Sequence, residues 1–135
     1  MSSLKALKLA QKSAIRQREV LGELEALVKS IDRGEKMITD LKAELEAVNL
    51  QHQNRTSTRE DIAYLEDLLR CAKKKLVWEK QMGTLKTRTP EVLAQVSAIM
   101  NDALNPPGDE TRLAFMELLQ AVQGAMQRLE QAKVE

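Results

Sequence analysis

Along the first half of the chain, apolar residues recur at Val20, Leu24, Leu27, Ile31, Gly34, Ile38, Leu41, Leu45, Val48 and His52, in alternating steps of four and three. That alternation keeps one edge of a helix turned toward a partner helix and is the pattern of a coiled-coil seam. Eight of the ten positions are aliphatic and the residues between them are mostly Glu, Lys, Asp and Arg, so the stripe is narrow. A narrow stripe suits pairing with one or two helices, whereas a helix on a broad core shows a wider apolar face. No proline precedes Pro90, and Gly22 and Gly34 each weaken a helix by about 1 kcal/mol without ending it. The pattern predicts a first helix over 4–53, roughly 75 Å long, and an elongated molecule.

Beyond His52 this seam fails and a new register begins at Ile62, Leu65, Leu69, Ala72 and Leu76. Ser57 and Glu60 have the spacing of a capping box, in which a serine hydroxyl accepts from the third amide of a starting helix. A second helix is therefore expected over 58–84, with the chain reversing before it; a stutter within one continuous helix is the alternative. Thr89, Pro90 and Glu91 read as cap, first helical residue and dipole-favourable acid, after a stop near Gly83. They predict a third helix over 90–104, ended by Asn105-Pro106-Pro107-Gly108. Asp109 is expected to cap a fourth helix over 110–133, with its seam at Phe115, Leu119, Val122, Met126 and Leu129. The expected fold is all-α: a long coiled-coil helix folding back as an antiparallel hairpin, followed by two shorter helices. Residues 1–135 would form a single elongated domain, a bundle of three to four helices.

Composition sharpens the class. Of 135 residues 43% are hydrophobic, enough for a folded chain, but only Tyr64, Trp78 and Phe115 are aromatic, and five Gly with three Pro leave too few turns for an all-β protein. The net charge is +1, so overall charge draws the chain to no polyanion. Charge is instead arranged in blocks. Residues 1–18 carry five basic and no acidic side chains, 19–47 carry four and eight, 48–69 two and four, 70–88 seven and one, and 89–135 three and seven. A reversal near residue 55 would lay the basic stretch 70–88 beside acidic 23–41. The acidic last two helices would then cover the basic start of the first. Such blocks disfavour wrong registers more than they strengthen the right one. The same reversal sets Trp78 opposite Gly34, where the indole either fills the notch left by the missing side chain or waits for another subunit.

Candidate chemistry is sparse. One Cys, Cys71, cannot form an internal disulfide, and with one His, His52, it falls short of a structural zinc site. No glycine-rich phosphate loop occurs. Neither a catalytic centre nor a cofactor or metal site is expected. No apolar run reaches the length of a bilayer span, and Lys5, Lys8 and Lys12 interrupt any signal-peptide core, which points to a cytoplasmic or nuclear protein, neither secreted nor transmembrane. The candidate partner-binding residues are Val20, Leu24, Leu27, Ile31 and Trp78. A candidate basic patch comprises Arg70, Lys73, Lys74, Lys75 and Lys80. In pattern class, without a diagnostic motif, the chain is similar to small coiled-coil subunits of kinetochore, microtubule-organising or vesicle-tethering assemblies. The expected function is a non-enzymatic scaffold or adaptor subunit, cytoskeletal or kinetochore-type, whose partners are other coiled-coil chains, a hetero-oligomer being favoured over a homodimer. The alternatives are a self-contained bundle binding nucleic acid, a tubulin tail or anionic lipid through the patch, and a trafficking subunit; direct nucleic-acid or membrane binding is the less expected outcome.

Overall fold

The structure, a computed structural model, describes residues 2–133. The described residues are all-helical, in three helices: α1, Ser2–Gln51; α2, Thr58–Met100; and α3, Asp109–Lys133. At 1.5 Å per residue, α1 is about 75 Å long. It ends at a short connection, and α2 starts on Ser57, whose extended backbone and hydroxyl cap the helix by accepting from the Glu60 amide at 3.2 Å. The Glu60 carboxylate does not return to the cap amide; it accepts from the hydroxyls of Ser57, at 2.9 Å, and Thr56, at 3.3 Å.

Several expected helix boundaries are corrected. Residues 58–84 and 90–104 are not separate helices, since α2 runs unbroken through Pro90 to Met100. Thr89 is no cap: it is buried, and its hydroxyl donates to the Leu85 carbonyl at 2.7 Å, as Thr84 and Thr87 do to Lys80 and Gly83. The helix persists because Val92, Val96 and Ile99, following the proline, are held in the core. It stops short of 104 because the Asn101 amide closes on Ser97 and the Asp102 carboxylate takes the Leu104 and Asn105 amides, at 2.9 and 3.0 Å. Gly108 rather than Asp109 caps α3, since its carbonyl accepts the first intrahelical bond, from Arg112 at 2.8 Å. Asp109 and Glu110 lie in the first turn, where acidic charge suits the dipole.

The α1 seam supplies the core. Val20, Leu24, Leu27 and Ile31 pack with Val92, Val96 and Ile99 of α2 and Phe115, Val122 and Ala125 of α3. Farther along, Ile38, Leu41 and Val48 pack with Cys71 and Trp78. Leu45, though on the seam, is 39% exposed. Partners on α2 rise as those on α1 fall: Tyr64 bonds Asn49, Arg70 bonds Glu44 and Trp78 bonds Gly34. Partners on α3 and in the connection before it rise with α1: Asn105 accepts from Gln17, Arg128 reaches Asp32, and the Ala132 carbonyl accepts from Lys42. α3 thus lies along the middle of α1, and the basic start, residues 3–12, is left exposed, contrary to the expectation that the last helices cover it.

The register that faces the core on α2 differs from the one expected. Ile62, Leu65, Leu69 and Leu76 are 52–62% exposed, and Ala72 is exposed with them. The inner edge instead follows Tyr64, Leu68, Cys71, Trp78, Met82, Leu85, Thr89, Val92, Val96 and Ile99, a four-three alternation broken only at exposed Lys75. This edge wins because it matches the α1 seam over the whole length of α2, across Pro90. The more aliphatic stripe lasts only four turns.

Candidate functional site

Three places could carry chemistry or recognition: the polar cluster at the α1–α2 connection, the basic stretch of α2, and the outward apolar stripe on the same helix. In the first, His52 Nε2 lies 2.7 Å from Asp67 Oδ2, and the imidazole sits 5.4 Å from the tilted Tyr64 ring. The Arg55 guanidinium stacks 4.0 Å over that ring while bonding the His52 carbonyl and the Asp61 carboxylate. Tyr64 donates to Asn49 at 2.7 Å. The partner of His52 is thus Asp67. Sequence spacing hides it, because the pairing joins two helices. Every polar group here binds a neighbour across the connection, and the cluster acts as a clasp. Cys71, one turn beyond Asp67, is buried among Ile38, Leu41 and Trp78 as a small apolar side chain.

The basic stretch is partly neutralised within the chain. Arg70 bonds Glu44 at 3.2 Å and Asp67 at 2.6 Å, and Lys74 bonds Glu44 at 2.7 Å. The hydrogen bond from His52 and then that from Arg70 hold Asp67 below its ordinary 3.8. Lys74 first, then Arg70, lower Glu44 from 4.5 against the opposing effect of desolvation. Asp67 and then Glu44 raise the pKa of Arg70. Both carboxylates therefore stabilise the fold fully above their ordinary values, and that contribution disappears as pH falls through the lowered folded values. A Glu44→Gln/Asp67→Asn variant is expected to melt below the parent chain at neutral pH and level with it near about pH 2. Thermal melts at the two pH values test this; an unchanged gap would mean that the carboxylate charges contribute nothing.

Of the sequence-derived partner residues, Val20, Leu24, Leu27, Ile31 and Trp78 are all 7% exposed or less, held within the core of the chain itself. Trp78 meets Gly34, but as a donor: its Nε1–H bonds the Gly34 carbonyl at 2.8 Å, while the methyl end of Met82 occupies the space a Gly34 side chain would need. Lys73, Lys75 and Lys80 are exposed and make no ion pair among the described residues. The groove over Ser30, Arg33, Met37, Met82, Leu85 and Arg88, of about 480 Å³, offers no carboxylate, imidazole or thiol. Among the described residues no group of three or more His, Cys, Asp or Glu side chains could hold a metal, and no helix is long and apolar enough to cross a membrane.

What remains is apolar surface facing outward. The accessible area is 9755 Å², against about 7100 Å² for a compact monomer of this mass. On α2 the stripe Ile62, Leu65, Leu69, Ala72 and Leu76 lies opposite the buried edge; near the start of α1, Leu4, Leu7, Leu9 and Ile15 are 51–58% exposed. The chain matches no family model, and no curated protein or solved structure matches it significantly.

Proposed function

We propose that the chain is a non-enzymatic helical scaffold or adaptor subunit: an elongated bundle, with α1 and α2 as an antiparallel hairpin and α3 along its side, that binds helices of other chains. The observation that carries this reading is the outward apolar stripe of α2, four large aliphatic side chains more than half exposed on one edge of a helix whose other edge is already packed. Regularly spaced aliphatic residues at a solvent-facing helix edge are what a partner helix recognises. The exposed aliphatic residues of the basic α1 start offer a second docking edge. The excess surface area agrees with a subunit whose apolar faces are completed by company.

The competing reading, attachment of a polyanion to the basic stretch, is weakened because Arg70 and Lys74 are already tied to Glu44 and Asp67. Capture from a native lysate on the immobilised full chain separates the two. At about 0.5 M salt, ion-driven binding falls by orders of magnitude while apolar helix pairing survives. Proteins retained by the parent chain should be lost with Leu4→Glu/Leu7→Glu or with Leu65→Glu/Leu69→Glu and kept with Lys73→Gln/Lys75→Gln/Lys80→Gln. The reverse pattern, or no specific capture at all, would overturn the proposal.

A further inference from the structure

The α2 stripe carries a charge order that specifies what can lie on it. Residues 60–67 hold four acidic side chains and no basic ones; residues 70–80 hold five basic against one acidic. The change of sign falls at the middle of the stripe, next to Leu69. With Ile62, Leu69 and Leu76 at one seam position and Leu65 and Ala72 at the other, the charged flanking positions are Asp61 and Lys75 on one side and Glu66, Lys73 and Lys80 on the other.

We infer that the stripe docks on the same stripe of a second copy of this chain, in antiparallel orientation. Turning one copy end for end about the point between Leu69 and Ala72 sets Leu65 against Leu76 and Leu69 against Ala72. The same operation places Glu66 opposite Lys73, twice by symmetry. The parallel arrangement does the opposite: it brings Asp61 to Glu66 and Lys75 to Lys80, like against like. Self-complementary signs favour the antiparallel pair and reject the parallel one. Glu66, Lys73 and Lys80 are exposed and have no ion-pair partner among the described residues, so pairing costs no existing contact at these positions. This inference names one partner for the docking edge invoked above and rests on that reading of the stripe. Only Leu65, Leu69 and Leu76 of each copy meet apolar partners, Ile62 falling opposite Glu79, which makes the association weak and concentration-dependent.

Sedimentation of the full chain, from low micromolar to several hundred micromolar, tests it. The parent chain should pass from monomer to dimer. Glu66→Lys and Lys73→Glu, each alone, place like charges at both symmetric contacts and should weaken dimerisation about tenfold or more. The double variant Glu66→Lys/Lys73→Glu should recover it, and an equimolar mixture of the two single variants should dimerise where neither does alone. All these positions are exposed, so unchanged circular dichroism and melting temperature keep folding apart from pairing. A parent chain that stays monomeric, a double variant that stays weak, or tightening by Glu66→Lys, which a parallel pair would gain from Asp61, would each overturn the inference. A monomeric parent chain that still captures proteins lost with Leu65→Glu/Leu69→Glu would overturn self-pairing alone and leave the scaffold reading standing.

Discussion

Truncation of Trp78 to alanine is expected to lower the free energy of unfolding by about 3–5 kcal/mol. The indole is 7% exposed and belongs to the cluster of Ile38, Leu41, Val48 and Cys71, smaller than the one around Phe115 and hence with fewer side chains able to close a void. Its N–H bond adds little to the cost, because removing the ring removes the donor with it, and the Gly34 carbonyl keeps its place in the α1 ladder. The loss is mainly that of buried apolar surface and of the cavity. Met82, whose flexible end already lies against Gly34, can move part of the way into the space, which favours the lower half of the range. Denaturant titration with an unchanged slope would measure the effect, and a loss below about 0.5 kcal/mol would place the indole outside the core.

The second large effect has the opposite sign. Pro90 stands inside α2, where it supplies no amide to the Lys86 carbonyl and its ring crowds that turn, at about 3 kcal/mol relative to alanine. Proline returns some of this by restricting the unfolded chain, on the order of 0.4–1 kcal/mol. Pro90→Ala is therefore expected to stabilise the protein by about 2 kcal/mol, read as a higher melting temperature and denaturant midpoint. The position is exposed while Thr89 and Val92 beside it are buried, so the methyl group meets no packed neighbour. Were the helix instead interrupted before Pro90, the substitution would remove a favourable first-turn proline and lower stability.

Helical class, the α1 seam and the Ser57 start of α2 were legible in the sequence because each is a local or strictly periodic signal. The α2 interior was harder to read for two physical reasons. Thr89-Pro90-Glu91 is a strong local start signal, and only the burial of Val92, Val96 and Ile99 against α1 and α3 overrides it. Two four-three registers also compete on that helix. Aliphatic content favours Ile62 to Leu76, whereas continuity favours Tyr64 to Ile99, and the partner seam on α1, distant in sequence over most of its length, decides between them. The stripe expected to lie inside is thus the one that faces solvent and forms the candidate docking edge. The His52–Asp67 clasp needed the connection itself, since nothing in the order of residues brings those two groups to 2.7 Å.

The distribution of contacts gives α1 a special place. It packs along both α2 and α3, whereas those two helices meet chiefly where Val92, Val96 and Ile99 share a core with Phe115, Val122 and Ala125. A load placed on the outer edge of α2 therefore reaches α3 by two routes, through α1 and through the shared core around Phe115.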